Sequence, residues 1–318
     1  MSINILNGDV RDVLPTLPSD HFDCVVTSPP YWGLRDYGVE GQIGLEPTMQ
    51  GYLDTMVGVC REVRRVLKPE GTFWLNIGDS YANTGGKSQP HRNNSGGFGG
   101  SDGCRTQGYA MAGGNFVRPN TTNGNIKPKD LCMIPNRLAI LLQEDGWYVR
   151  SEIIWHKPNP MPESVKDRPT NAHEKVWLLT KSPKYYYDAD AIAEKSLHPN
   201  AVASWTSESR TERAKSHGMV PVGNEANGAK YIGSETRNCR NVWSITTKSF
   251  KGAHFATMPP DLVERCIKAG CPKDGLVLDP FGGSGTTGMV AQQLQRNATL
   301  IELNEEYIWI ANSRIGML

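Results

Sequence analysis

Ser28-Pro29-Pro30-Tyr31 follows the apolar run Phe22–Thr27 and brings a hydroxyl, two prolines and a flat phenol ring together within four residues. Proline fixes the backbone, so the Pro29 carbonyl and the Ser28 hydroxyl can be aimed at one small group while Tyr31 offers a stacking face. Two acceptors beside a stacking ring suit an exocyclic amine on a nucleobase turned out of its helix. An ordinary Pro-Pro turn with an anchoring tyrosine is the other reading of the same residues.

A second group lies near the other end of the chain. Residues 275–279 (GLVLD) form a short apolar strand ending in Asp279, residues 280–288 (PFGGSGTTG) form a Gly-rich turn opening a helix, and residues 298–303 (ATLIEL) form a strand carrying Glu302. Gly283, Gly285 and Gly288 satisfy GxGxxG in a strand-turn-helix context, and Glu302 stands about 20 residues after the first, where an acid can bind ribose hydroxyls. An adenosine ribose is the implied ligand; glycines that only make a tight turn, or a nicotinamide site, are the competing readings. A dinucleotide fold needs several βα units after its first, and only residues 303–318 follow, so the rest of the sheet is expected from the N-terminal part of the chain.

The intervening pattern supplies those elements. Residues 3–6 read as a strand ending at Asn7-Gly8-Asp9, and residues 22–27 as a buried strand halted by Ser28-Pro29-Pro30. Leu53, Met56, Val57, Cys60, Val63 and Leu67 share one helical face, Lys68-Pro69-Glu70-Gly71 is expected to end that helix, and residues 72–77 are the next strand. Strand, loop, helix, strand is the βαβ signature of a parallel sheet. Beyond it come a helix over 135–144 capped near Gly146, strands around 149–155, 175–180 and 185–188, and a helix over 261–269 ended by Gly270. The fold class is α/β: a doubly wound, mostly parallel sheet, permuted so that the half with the glycine turn is last.

Two segments break the pattern. Eleven of the 33 glycines fall between Gly85 and Gly124, so residues 82–128 read as a mobile surface loop; residues 189–248 are polar and weakly patterned. The expected organisation is therefore 1–81, an insertion at 82–128, a continuation of the sheet at 129–188, a separate region at 189–248 and a closing half at 249–318. Lys+Arg (34) and Asp+Glu (33) nearly balance, yet residues 84–129 hold six Lys/Arg against Asp102 alone, and residues 189–251 hold nine against six acids. An acidic body with basic loops fits a polyanion better than a membrane surface. The seven cysteines form no CxxC pair and have no His at metal-ligand spacing, so no metal site is expected. With no apolar run long enough to span a bilayer and a polar start, a soluble, cytoplasmic protein is expected.

Taken together, the motifs resemble those of the amino-methylating, S-adenosylmethionine-dependent DNA methyltransferases in their β-class order. Thr27-Ser28-Pro29-Pro30-Tyr31-Trp32 is similar to the catalytic motif, which implies Ser28, Pro29, Pro30 and Tyr31 as the catalytic loop. Asp279-Pro280-Phe281-Gly282-Gly283-Ser284-Gly285-Thr286-Thr287 is similar to the cofactor motif, Glu302 to the ribose acid, and His254-Phe255-Ala256-Thr257-Met258-Pro259 to the segment around the methionine end. Gly8-Asp9 resembles the turn near the adenine, and Asn304 joins the implied cofactor set. The resemblance implies methyl transfer to a flipped base in double-stranded DNA without a covalent enzyme intermediate. Ser at the first motif position leans toward cytosine N4, because adenine-specific relatives commonly carry Asp or Asn there; adenine N6, and an RNA or protein amine, are the alternatives.

The segment from Trp155-His156-Lys157-Pro158 to Asp167-Arg168 resembles the family's base-pocket region, and 189–248 corresponds in order to its target-recognition region. Lys87, Arg92, Arg105, Arg118, Arg210, Arg213, Arg237 and Arg240 are the candidate DNA contacts, expected at phosphates. A cognate restriction nuclease, and a monomer or homodimer, are what the family suggests.

Overall fold

The computed structural model describes residues 1–34, 37–83, 126–196, 235–247 and 257–316, together with the backbone of the short strands at 86–87, 117–118, 202–204 and 230–232. It divides into two units, Met1–Asp188 with Asn241–Leu318, and Ala189–Arg240.

The larger unit is built on an eight-stranded sheet. In chain order its strands are β1 (Ile3–Asn7), β2 (Phe22–Thr27), β3 (Leu67–Ile77), β4 (Tyr148–His156), β5 (His173–Thr180), β6 (Val242–Ser244), β7 (Leu276–Asp279) and β8 (Asn297–Glu302). Its helices are α1 (Val10–Val13), α2 (Met49–Val66), α3 (Ile134–Glu144), α4 (Pro260–Gly270), α5 (Thr286–Gln293) and α6 (Glu305–Ile315). The spatial order is β1-β8-β7-β2-β3-β5-β4-β6, with every pair parallel except the two that β5 makes with β3 and β4. Central strands covered on both faces read as continuous apolar runs, as FDCVVT and LVLD do.

Packing follows the pattern in the sequence. α2 buries Tyr52, Leu53, Met56, Val59, Cys60, Val63 and Val66 against the sheet, each such side chain contributing about 1.5–3 kcal/mol of transfer free energy. Its opposite face carries Asp54, Gly58 and Arg61 to solvent. Thr48 caps its start by accepting from the Gly51 amide at 3.0 Å.

As expected, the helix stops ahead of Lys68-Pro69-Glu70-Gly71: α2 ends at Val66 and passes directly into β3, and these residues bulge out between the Phe22–Leu67 and Cys24–Thr72 pairs. Proline is tolerated there because no ladder amide is needed at a bulge. Two expectations are corrected. Residues 185–188 run extended without joining the sheet, held by bonds from Tyr186 N to Glu70 O (2.8 Å) and Asp188 N to Ala269 O (2.9 Å). Residues 241–247, grouped from sequence with the polar region, instead supply the edge strand β6, whose Trp243 is buried near Trp74.

Most of 82–128 lies outside the described residues. Its ends are drawn together by Ala82 N to Asp130 O (2.8 Å) and Lys129 N to Ala82 O (2.9 Å), and Gly86–Lys87 pairs antiparallel with Val117–Arg118. In the smaller unit Glu194–Lys195 pairs with Thr236–Arg237, and Val202–Ser204 with Lys230–Ile232, both antiparallel.

Candidate active site

The unit β7-α5-β8 steps outward to one side of the sheet, whereas β2-α2-β3 steps to the other, so the order reverses between the adjacent strands β7 and β2. Ligands of open α/β sheets bind at the carboxyl ends of the strands where this happens. Here β7 ends at Asp279 and β2 at Thr27, and the two are joined: Thr27 Oγ1 donates to Asp279 Oδ1 at 2.6 Å. The Phe281 amide adds a second bond to Oδ1 (3.1 Å), and Thr287 Oγ1 donates to Oδ2 at 2.6 Å. Burial raises the Asp279 pKa while these three donors oppose the rise. The carboxylate thus binds the glycine turn to the Ser28 strand and sets the shape of both.

The turn presents its acid as the spacing predicts. Glu302, at the end of β8, accepts from the Gly283 amide through Oε2 (2.7 Å) and from the Asn304 amide through Oε1 (2.8 Å). Burial raises its pKa as well, opposed by the two amides. Each carboxylate oxygen carries two acceptor sites, so each keeps one for a hydroxyl. Beneath the turn, Arg314 of α6 donates to Ser284 O (2.7 Å), Ser284 Oγ (2.5 Å) and Thr286 Oγ1 (3.1 Å). Nothing in the sequence marked Arg314, because it acts from another helix.

On the far side of the junction, Tyr52 of α2 donates to Pro30 O at 2.9 Å and Trp32 Nε1 to Glu46 O at 2.9 Å, anchoring the proline loop. Among the described residues nothing donates to the Pro29 carbonyl. Tyr31 packs on Gly78, where any Cβ would stand 2.6 Å from the ring. Its hydroxyl donates to Glu174 Oε2 at 2.7 Å, and Ser28 Oγ lies 3.3 Å from that hydroxyl. Asn76 Nδ2 also reaches Glu174 Oε2 (3.1 Å), and Lys157 Nζ pairs with Oε1. Burial, reinforced by the Glu174 charge, pushes the Tyr31 phenol well above its ordinary range, so it stays a neutral donor.

These two halves line one cavity of about 530 Å³, within the range of ligand sites. Ser28, Pro29, Pro30 and Tyr31 stand in its wall, with Asp9, Thr257, Asp279, Pro280, Phe281, Gly283, Ser284, Thr286, Glu302 and Asn304. Gly285 does not: its missing Cβ makes room for Ala311 of α6, so its role is helix packing. Asn304 and Asp9 in the wall also have structural partners. Asn304 Oδ1 caps α6 at the Glu306 amide (2.9 Å), and the Asp9 carboxylate grips Arg11, whose guanidinium holds the Asp9 pKa down. His254, Phe255 and Ala256 lie outside the described residues.

Sequence reasoning missed Asn76 and Glu174, polar residues inside strands whose convergence is a matter of register: Trp155 pairs with Glu174, and Asn76 with Val176. Lys157 was inside the expected base-pocket segment, and it lines the cavity with Trp155, Pro160 and Met161. Of the candidate DNA contacts, Arg92, Arg105, Arg210 and Arg213 lie outside the described residues, as do the side chains of Lys87 and Arg118. Arg237 and Arg240 both pair with Glu194, Nη2 of the first at 3.1 Å and Nε of the second at 2.9 Å, which sets their charges against an acid of the same unit. No His/Cys/Asp/Glu cluster able to hold a metal, and no helix long and apolar enough to cross a membrane, occurs among the described residues.

Comparison with known proteins places these features in context. A DNA methylase family model, that of the N6 and N4 methyltransferases, matches residues 22–313. The Type II methyltransferase M.SmaI of Serratia marcescens is 44% identical over 314 residues, 99% of this chain and 91% of its own. The solved PvuII DNA methyltransferase (cytosine-N4-specific) superposes with a TM-score of 0.62 at 20% identity, covering 99% of this chain and 86% of that one. A Thermus thermophilus chain solved in complex with S-adenosyl-L-methionine superposes with a TM-score of 0.57 at 21% identity, covering 99% and 93%.

Proposed function

The chain belongs to the DNA methylase family of N6 and N4 methyltransferases, and on that premise we propose that it methylates the N4 amine of a flipped-out cytosine in double-stranded DNA. The observation that carries the reading is the meeting, in one cavity, of the Ser28-Pro29 acceptors with the Glu302 turn. S-adenosylmethionine bound at that turn supplies an electrophilic methyl group. The residues present fit it: Glu302 keeps two acceptor sites for ribose hydroxyls, and the Gly283 amide is already fixed on that acid. Phe281 and Pro280 give the wall an apolar surface.

An exocyclic amine is a poor nucleophile while its lone pair is delocalised into the ring. Ser28 Oγ and the Pro29 carbonyl, accepting its two N–H bonds, would draw the nitrogen toward a pyramidal shape with the lone pair aimed out of the base plane. Positioning and fixed dipoles then carry the catalysis, and the low-dielectric cavity strengthens both. Tyr31, clamped through its hydroxyl to Glu174, stands ready to stack on the base. Cys24 is fully buried inside β2 and its thiol is pushed well up by that burial, so this cysteine is not poised as a thiolate for attack at cytosine carbon 5. Serine at the head of the loop supports cytosine over adenine.

The test is incubation with unmodified genomic DNA and labelled S-adenosylmethionine, followed by digestion to nucleosides and mass spectrometry. N4-methylcytosine is the expected product. N6-methyladenine would overturn the choice of base, and absence of label from DNA would overturn the substrate.

A further inference from the structure

The cavity opens where β2 and β7 part. Their ladder pairs Val277 with Cys24 and Leu278 with Val25, and it goes no further. Each strand end is held instead by its outer neighbour: β3 pairs with β2 as far as Leu75 with Thr27, and β8 with β7 as far as Leu300 with Asp279. Past Val25 and Leu278, the one hydrogen bond that crosses the gap among the described residues runs from Thr27 Oγ1 to Asp279 Oδ1, at 2.6 Å. Thr27 is buried, and Ser28 follows it directly.

The other anchors of the proline loop lie on its far side: Tyr52 of α2 at Pro30, and Gly78 and Glu174 at Tyr31. They fix the loop to elements that do not carry the glycine turn, so they leave its spacing from that turn open. Group transfer is steep in such a spacing, since a displacement of about 1 Å can cost a factor of about 100 in rate.

We infer that Thr27 is a positioning residue whose hydroxyl sets the distance between an amine seated on Ser28 and Pro29 and a methyl group presented at the glycine turn. This rests on the reading of Ser28 and Pro29 as the amine's seat, and it holds for either base. The same carboxylate supplies an internal comparison. Thr287 Oγ1 donates to Asp279 Oδ2, also at 2.6 Å and also from a buried position, but it belongs to α5, on the same side of the gap as the turn. Loss of either hydroxyl takes one donor from a buried acid, whereas only loss of the Thr27 hydroxyl unties the two strand ends.

The test is single-turnover methyl transfer to unmodified genomic DNA, with protein in excess and labelled S-adenosylmethionine at saturation, beside the cofactor Kd from titration calorimetry. Thr27→Val should slow transfer about tenfold or more while the Kd stays within about twofold. Thr27→Ser, which keeps the donor, should stay within about threefold of the unaltered rate, and Thr287→Val should slow transfer at least about threefold less than Thr27→Val does. Thr27→Ala breaks the same bond without setting a methyl group against the carboxylate, and it takes the place of the valine variant if that one does not fold. A normal rate in the variant lacking the hydroxyl, a serine variant as slow as it, or equal slowing by Thr287→Val would overturn the assignment. Ser28→Ala, measured alongside, keeps the two readings apart. Transfer at full rate by that variant would sink the amine's seat and the role of Thr27 with it, whereas a slow Ser28→Ala beside a normal Thr27→Val would sink the role of Thr27 alone.

Discussion

Two glycines of the turn after β7 flank Ser284 with left-handed backbones, Gly283 at φ +50° and Gly285 at φ +77°, yet their surroundings differ. A Cβ on Gly283 would meet nothing nearer than Phe281 O at 3.9 Å, whereas one on Gly285 would stand 2.7 Å from Ala311 Cβ and 3.0 Å from Ala311 Cα. Gly283→Ala should therefore cost only the left-handed conformation, about 1–2 kcal/mol. Gly285→Ala adds an overpacked contact of about 1–3 kcal/mol, giving a total of about 2–5 kcal/mol. Urea unfolding with the denaturant slope held constant measures both. A Gly285→Ala/Ala311→Gly cycle isolates the contact and should return a coupling of about 1 kcal/mol or more. Because α6 carries Arg314, which holds Ser284 and Thr286, the Gly285 variant should also weaken S-adenosylmethionine binding. Equal costs for the two glycines, or no coupling to Ala311, would refute the reasoning.

Ser28→Ala and Glu302→Gln should separate turnover from cofactor affinity. The first should lower kcat about tenfold or more while leaving the S-adenosylmethionine Kd within about twofold; the second should raise that Kd about 10- to 100-fold and spare kcat at saturation. Titration calorimetry beside single-turnover kinetics reads both, and a swapped pattern would mean the roles are reversed. Arg11 depresses the Asp9 pKa mainly through their side-chain hydrogen bond. A depressed carboxylate contributes stability that is present above its unfolded pKa of about 4 and is lost as pH falls through the folded value. The stability gap between the unaltered protein and Arg11→Gln should then be constant near neutrality and close below about pH 4; a gap that widens on acidification would contradict the pairing.

The parts of the site legible in the sequence are those in which chemistry and geometry are local. The glycine turn, its acid and the Ser28 loop each sit at the end of an apolar strand, and a strand end is where a parallel sheet exposes functional groups. Burial periodicity marked the core face of α2 for the same reason: an amphipathic helix needs no distant information to declare which side is apolar.

What depended on the tertiary structure was pairing at a distance. Glu174, Asn76 and Lys157 come from three strands or strand ends and meet Tyr31 only because β3, β5 and β4 lie side by side in one register. Asp279 reads as a ligand in sequence, but the fold places two threonine hydroxyls on it, one of them from β2. Arg237 and Arg240 read as free positive charge until Glu194 is brought beside them. A residue's type sets which bonds it can make, but the partner that takes them is chosen by which strands and helices become neighbours, and that is a property of the packed chain.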